Sequence, residues 1–146
     1  SLVFAAAAGA APPVGRAGRP MKVLIIDDDP AFVRVLEEYV AERFPDLEVQ
    51  TCTDPVRGLA AITADLALLL VDLEMPGIDG AKILAYATAG GLDKRRVIIL
   101  SGRDADYLHR RCPMGCCLAV LNKYEAKQKA ALEMVFSSLQ QKCVGG

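Results

Sequence analysis

The sequence predicts an α/β fold: a three-layer, doubly wound sandwich in which a five-stranded parallel sheet is covered by five helices. Three observations predict it. From Met21 onward, short apolar runs alternate with amphipathic stretches of helical period, the pattern of successive βαβ units. The runs at 23–26, 66–71 and 97–100 are apolar at every position rather than at every second one, as strands buried on both faces require. Each run also stops abruptly at polar residues. Right-handed crossovers between parallel strands then place helices on both faces of the sheet.

The elements follow in order. Residues 23–26 form the first strand, ended by Asp27, Asp28 and Asp29. Asp29-Pro30 opens a helix, with Asp29 as its cap and proline at the first helical position. Phe32, Val33, Leu36, Tyr39 and Val40 fall on one face of that helix, and Phe44-Pro45 stops it. Residues 47–52 read as the second strand, and Asp54-Pro55 repeats the cap-plus-proline start for a helix to about residue 64. The third strand, 66–71, is the most apolar and runs into Asp72. A turn-rich loop follows at 75–80 (Met-Pro-Gly-Ile-Asp-Gly), then a helix to about residue 89. The fourth strand, 97–100, ends at Ser101-Gly102. A helix at 104–111, a strand at 118–121 leading to Lys123, and a helix at about 125–141 complete the set. Leu132, Val135, Phe136 and Leu139 mark the buried side of the last helix.

Composition narrows the function classes. At 146 residues, 53% hydrophobic and 24% charged, the chain has room for one globular domain with its own core. A net charge of −1 argues against a surface built to hold nucleic acid. Arg95, Arg96, Arg103, Arg110 and Arg111 are scattered over turns and a helix and read as a solvated surface. Five cysteines (Cys52, Cys112, Cys116, Cys117, Cys143) are an odd number without small-scaffold spacing, which fits a reducing, cytoplasmic compartment better than a disulfide framework. Cys112-Pro-Met-Gly-Cys116-Cys117 has no Cys-x-x-Cys pair, and His109 is the only histidine, so these read as ordinary buried or loop thiols. Residues 1–20, Ala-, Gly- and Pro-rich, read as a flexible leader or expression remnant rather than a signal or membrane segment. The domain is expected over 21–142, with 143–146 as a tail.

In a doubly wound sheet, functional groups gather beyond the carboxyl ends of the strands. Those ends carry Asp27 and Asp28, Asp72, Ser101 and Lys123. Alone, each has an ordinary reading as a cap, a turn residue or a surface lysine. At successive strand ends they form a constellation. Carboxylates crowded into one crevice repel, and a divalent cation resolves this. Hard oxygen ligands with room for water and phosphate suit Mg²⁺. The central carboxylate can act as nucleophile and form an acyl phosphate, with the lysine and a serine hydroxyl stabilising the phosphoryl oxygens.

The segments ending in Asp27-Asp28-Asp-Pro, Asp72-Leu-Glu-Met-Pro76-Gly-Ile-Asp-Gly80, Ser101-Gly and Leu-Asn-Lys123 together resemble the receiver domain of two-component response regulators. The resemblance runs from about Met21 to Lys142, and the segment from Asp72 to Gly80 is its most specific part. The intervals of 45 positions from Asp27 to Asp72 and 22 from Ser101 to Lys123 are also similar to the family's. The resemblance implies a flavodoxin-like sheet of order 2-1-3-4-5. It implies a cytoplasmic signalling phosphoprotein, no more of an enzyme than self-catalysed phosphotransfer and autodephosphorylation require. Asp72 would accept the phosphoryl group of a sensor histidine kinase or phosphotransfer protein. Asp27, Asp28, Asp72 and the backbone carbonyl of Glu74 would hold Mg²⁺. Ser101 and Lys123 would meet the phosphoryl group, with Leu73, Glu74 and Gly102 as phosphate-binding positions. The face made by the fourth helix, fifth strand and fifth helix would then shift and govern an output, a partner or a homodimer. Direct binding to nucleic acid or membrane is not expected of this segment.

Three positions depart from the family pattern. Tyr124 stands where a cis-proline usually follows the lysine, and no cis bond is predicted here. Val120 stands where an aromatic switch residue is common. Glu74, two past the acceptor, is acidic, and we hypothesise that it disfavours or orients the water that attacks the phosphoryl group. Two other readings compete. An aspartate-nucleophile phosphatase of the haloacid-dehalogenase type also uses a strand-end Asp, a Ser/Thr, a Lys and Mg²⁺. Here, however, Pro30 and Phe32 interrupt its opening motif, and no late Gly-Asp-x-x-x-Asp follows. A receiver-like adaptor that works without phosphorylation is the other. Whether the chain stands alone or belongs to a longer regulator is open at this level.

Overall fold

The computed structural model describes residues 21–113 and 115–145; the expected leader at 1–20 and the final residue of the expected tail lie outside the described residues. Ten elements alternate: β1 Met21–Ile26, α1 Pro30–Arg43, β2 Leu47–Cys52, α2 Pro55–Ala61, β3 Leu68–Asp72, α3 Gly80–Ala89, β4 Val97–Ser101, α4 Ala105–Arg111, β5 Ala119–Asn122 and α5 Ala126–Gly145. The sheet has the order β2-β1-β3-β4-β5, and every pairing in it is parallel. This is the doubly wound arrangement that the alternation predicts, in the flavodoxin-like order that the resemblance implies. Among the described residues, no helix is long and apolar enough to cross a membrane.

The continuous apolar strands split their side chains between two cores, because successive residues of a strand point to opposite faces. Val23, Ile25, Leu68, Leu70, Ile98 and Leu100 pack with Val33, Leu36 and Val40 of α1 and with Leu132, Phe136 and Leu139 of α5. Leu24, Ile26, Leu69, Val71, Val97 and Ile99 pack with Ile83 and Ala87 of α3, Leu108 of α4 and Cys112. Buried side chains of this size contribute roughly 1.5–3 kcal/mol each, so the central strands are fixed in register from both sides. Their carboxyl ends therefore lie side by side at one edge of the sandwich.

Aspartate caps set most of the helix starts. Asp29 accepts from the amides of Ala31 and Phe32, Asp54 from Val56, Asp79 from Ala81 and Asp104 from Tyr107. Several boundaries differ from those read in the sequence. Helix α2 stops at Ala61 rather than near 64, where the amide of Ile62 turns back onto the carbonyl of Leu59. Helix α5 continues past 141 to Gly145. Gln140 holds Asp46, and the Cys143 thiol reaches the Asp46 carbonyl at 3.7 Å, so the end of α5 is anchored to the α1–β2 turn. The loop at 75–80 contains a small antiparallel ribbon, Glu74–Met75 against Ile78–Asp79, turned at Gly77 with φ +79°. A 3₁₀ turn at Lys94–Arg96, capped by Asp93, precedes β4.

Candidate functional site

The fold brings the strand-end residues together. The buried polar or charged residues among those described are Asp27, Asp72, Ser101 and Lys123, which come from the residue after β1, from β3 and β4, and from the residue after β5. An interior otherwise wholly apolar thus concentrates its polar side chains in one crevice, and such burial is costly unless the groups are paired.

Lys123 is the electrostatic centre. Its Nζ lies 2.6 Å from Asp27 Oδ2 and 3.4 Å from Asp72 Oδ2, and it stands 4.7 Å from the centroid of the Phe32 ring. Its amide donates to the Ser101 carbonyl at 2.9 Å, so the β4–β5 ladder extends to the lysine itself. Burial, the largest single influence, lowers its pKa, but the contacts with Asp27 and Asp72 together outweigh it and the net shift is upward. The ammonium is therefore a fixed positive charge.

Asp72 sits at the end of β3, where Glu74 N donates to its Oδ1 at 3.2 Å. Burial, and then the neighbouring Asp27 carboxylate, push its pKa up to about 7, against the opposing pull of Lys123 and the Glu74 amide. Asp27 Oδ1 accepts from Asp29 N at 3.0 Å. Its Oδ2 is buried without an aligned hydrogen bond and meets only the charge of Lys123 at its side. Carboxylate oxygens of Asp27, Asp28 and Asp72 all lie within 4.8 Å of one another, with Asp28 on the solvent side. One lysine does not balance three carboxylates. A hard, oxygen-seeking divalent cation fits this donor set, and the negative charge that Lys123 alone leaves uncompensated is what such an ion would neutralise.

Ser101 is engaged elsewhere. Its hydroxyl faces the Glu74 carboxylate, with 2.8 Å to each oxygen, and accepts from Arg103 N at 3.0 Å. The Glu74 side chain thus reaches across from the ribbon after β3 to cover the serine. Of the expected phosphate-binding positions, Leu73 has its amide on the Leu100 carbonyl at 2.8 Å and its side chain in the core. Gly102 is exposed beside the crevice, under the ring of Tyr124; a Cβ there would lie 3.0 Å from Tyr124 Cε2. Gly80 closes the site from below: a Cβ on it would meet Leu73 Cα at 2.6 Å and the Asp72 carbonyl at 2.8 Å. Sequence reading missed the Phe32 contact with Lys123 and the Glu74 bridge to Ser101. An aromatic in the first turn after β1 carries no separate signal, since it fits the apolar helix face equally well.

The model of the response regulator receiver domain matches residues 23–131, which includes every residue of this crevice. The chain belongs to the response regulator receiver family. The two-component response regulator ORR21 of Oryza sativa subsp. indica is 29% identical over 102 residues, covering 66% of this chain and 14% of that protein. The glycerol metabolism activator of Pseudomonas putida is 38% identical over 61 residues, covering 40% of this chain and 28% of that protein. The receiver therefore spans only a small part of the curated relatives it matches. Among solved structures, the CheY-like receiver protein of Methanospirillum hungatei JF-1 superposes with a TM-score of 0.65 at 22% identity, covering 87% of this chain and 99% of that one. CheY4 of Vibrio cholerae gives 0.66 at 19% identity, covering 80% and 98%. These likenesses show the same fold.

The three departures have visible consequences in this receiver. The described residues contain no cis peptide, and Tyr124 is instead held by its amide, which donates to Asn122 Oδ1 at 2.8 Å. Asn122 in turn donates to the Arg103 carbonyl at 3.0 Å, tying the loops after β4 and β5 together. Val120 packs against the second core, and Tyr124 lies over Gly102 beside the crevice.

Proposed function

We propose that this receiver takes a phosphoryl group on Asp72 from a histidine kinase or phosphotransfer protein in a Mg²⁺-dependent reaction and reports it through the α4–β5–α5 face. The observation that carries this reading is the arrangement of Asp27, Asp72 and Lys123 as one buried ion cluster, with Asp28 completing three carboxylates whose oxygens lie within 4.8 Å of one another. Asp27, Asp28, Asp72 and the Glu74 carbonyl would hold Mg²⁺, which when bound supplies positive charge that neutralises the carboxylates and the phosphoryl oxygens. Asp72 Oδ2 attacks phosphorus, the bond from phosphorus to the donor nitrogen breaks, and the electron pair leaves with the imidazole. Asp72 must be ionised to attack, and a pKa of about 7 in the metal-free pocket makes its reactivity depend on added positive charge.

Lys123 Nζ lies against both carboxylates and needs only a small rotation to pair with a phosphoryl oxygen on Asp72. Ser101 is positioned for a second hydrogen bond to that oxygen once Glu74 lets go of its hydroxyl. Glu74 and Gly102 border the same space, whereas Leu73, its amide already engaged, supports the acceptor by position. Release of Ser101 alters the amide contact to Arg103, whose guanidinium stacks 3.9 Å from the Tyr107 ring on α4. A local charge change is thereby linked to an element of the output face.

Stoichiometric labelling separates this from the phosphatase reading. With a small acyl-phosphate or phosphoramidate donor and Mg²⁺, the expected product is one base-labile phosphoryl group per chain and no multiple turnover of a phosphomonoester. Sustained phosphomonoester hydrolysis without stable labelling would contradict the proposal.

A further inference from the structure

Two of the arginines that read as solvated surface in the sequence, Arg103 and Arg111, belong to a closed circuit of side chains. It begins and ends at the ribbon after β3, where Glu74 and Asp79 face each other. From Glu74 the circuit runs to the Ser101 hydroxyl at 2.8 Å, which accepts from the Arg103 amide at 3.0 Å. The Arg103 guanidinium lies 3.9 Å from the centroid of the Tyr107 ring. Arg111 Nη1 donates to the Tyr107 hydroxyl at 2.7 Å, and Arg111 Nη2 pairs with Asp79 Oδ2 at 2.7 Å. That last contact returns the circuit to the ribbon.

The ribbon is only two residue pairs long, and a strand pair of that length is marginal on its own backbone bonds. Its place depends on what its side chains hold. Asp79 uses both carboxylate oxygens: Oδ1 caps α3 by accepting from Ala81 N at 2.9 Å, while Oδ2 takes Arg111. Tyr107 orients this clamp. Asp104 fixes its amide at 2.9 Å, its hydroxyl holds one guanidinium, and its ring attracts the other through its negative face. The planar fork of Arg111 reaches Tyr107 and Asp79 at once, which the single ammonium of a lysine does less well. The Arg111–Asp79 pair is 36% exposed on each side, so it adds little to stability and its effect lies in placement.

We propose that Arg111 and Tyr107 are positioning residues for phosphoryl acceptance: through Asp79 they hold the ribbon so that Glu74 keeps the Ser101 hydroxyl covered. Helix α4 thereby sets how readily the acceptor site opens. The inference rests on the reading of Asp72 as phosphoryl acceptor. Its effect runs both ways, since whatever draws Arg111 from Asp79 favours the state in which Ser101 is free.

Labelling by acetyl phosphate with Mg²⁺ is timed by intact-mass spectrometry for wild type, Arg111→Gln, Arg111→Lys, Tyr107→Phe, Glu74→Ala and the double variant Arg111→Gln/Glu74→Ala, each shown by melting to be folded. Arg111→Gln is expected to accelerate labelling roughly two- to fivefold. Tyr107→Phe acts in the same direction, and Arg111→Lys, which keeps the charge on Asp79, falls back toward wild type. In the Glu74→Ala background Arg111→Gln is expected to change nothing further, because the carboxylate that the clamp positions is gone. A merely structural arginine would act equally in both backgrounds. Equal effects of Arg111→Gln with and without Glu74, or an unchanged rate in Arg111→Gln, would overturn the proposal. A wild type that takes no phosphoryl group would instead overturn the reading beneath it, and amide hydrogen exchange in the unlabelled protein then tests the clamp by itself. Arg111→Gln is expected to speed exchange across residues 74–81; unchanged exchange there would end the inference too.

Discussion

Asp72 is an acid that the metal-free fold prefers to keep protonated, with a pKa of about 7 against an ordinary 3.8. Below that ordinary value both folded and unfolded chains hold the proton, so there is no penalty. As pH rises, the unfolded chain ionises first, and the penalty grows until the folded carboxyl also ionises near 7, above which it is constant. Asp72→Asn is therefore expected to stabilise the metal-free protein by up to about 4 kcal/mol above pH of about 7 and to lose that advantage toward pH of about 4; urea unfolding across this range checks it. Mg²⁺ should stabilise wild type by mass action and the Asn variant much less. Glu74 gives a second prediction. Its carboxylate competes with any phosphoryl oxygen for the Ser101 hydroxyl, so Glu74→Ala should accelerate labelling by a small donor several-fold, about 1 kcal/mol. The same variant tests its effect on the attacking water, through the rate of phosphoryl loss. The identities of Asp27, Asp72, Ser101 and Lys123 were legible because each follows an apolar run at a strand end. That the Glu74 side chain bridges to Ser101 was not, because a rotamer choice across a loop leaves no periodic trace in sequence.

At the scale of elements, the site depends on how closely α3 approaches the end of β3. Gly80 makes that approach possible: a methyl group at this position would collide with the backbone of Leu73 and Asp72, which cannot yield as a flexible side chain can. Gly80→Ala is expected to cost about 2 kcal/mol or more and to slow phosphoryl acceptance, because relief of the clash must move the acceptor strand. Denaturant unfolding measured beside labelling rates checks both effects, and an unchanged protein would show that α3 can shift freely. The aspartate caps made the starts of α1 and α2 readable, since Asp-Pro states cap and first turn together. The ends were less readable. Helix α2 stops early where no glycine or proline marks it, and α5 runs on to Gly145 because Asp46 of a distant turn binds Gln140 and Cys143. Long-range contacts of that kind override local propensity.

At the scale of the whole molecule, two cores on opposite faces of one sheet hold the crevice in place. Phe136, fully buried, stacks at 5.7 Å from Phe44 and closes α5 onto α1. Phe136→Ala is expected to destabilise the fold by about 3–5 kcal/mol while leaving the labelling chemistry of the folded fraction intact; melting curves and labelling per folded molecule separate the two. The layer order and sheet topology were legible because continuous apolar strands alternating with amphipathic helices admit few other architectures. That Cys112, Cys116 and Cys117 all reach the second core was not, since they lie on either side of a loop whose course the pattern does not specify. Intact-mass spectrometry after incubation with acetyl phosphate, run with Mg²⁺, with EDTA and on Asp72→Asn, shows whether Asp72 is a metal-dependent phosphoryl acceptor. The expected result is one added phosphoryl group in wild type with Mg²⁺ and none in the other two. Equal labelling of Asp72→Asn, or no labelling of wild type with Mg²⁺, would contradict it.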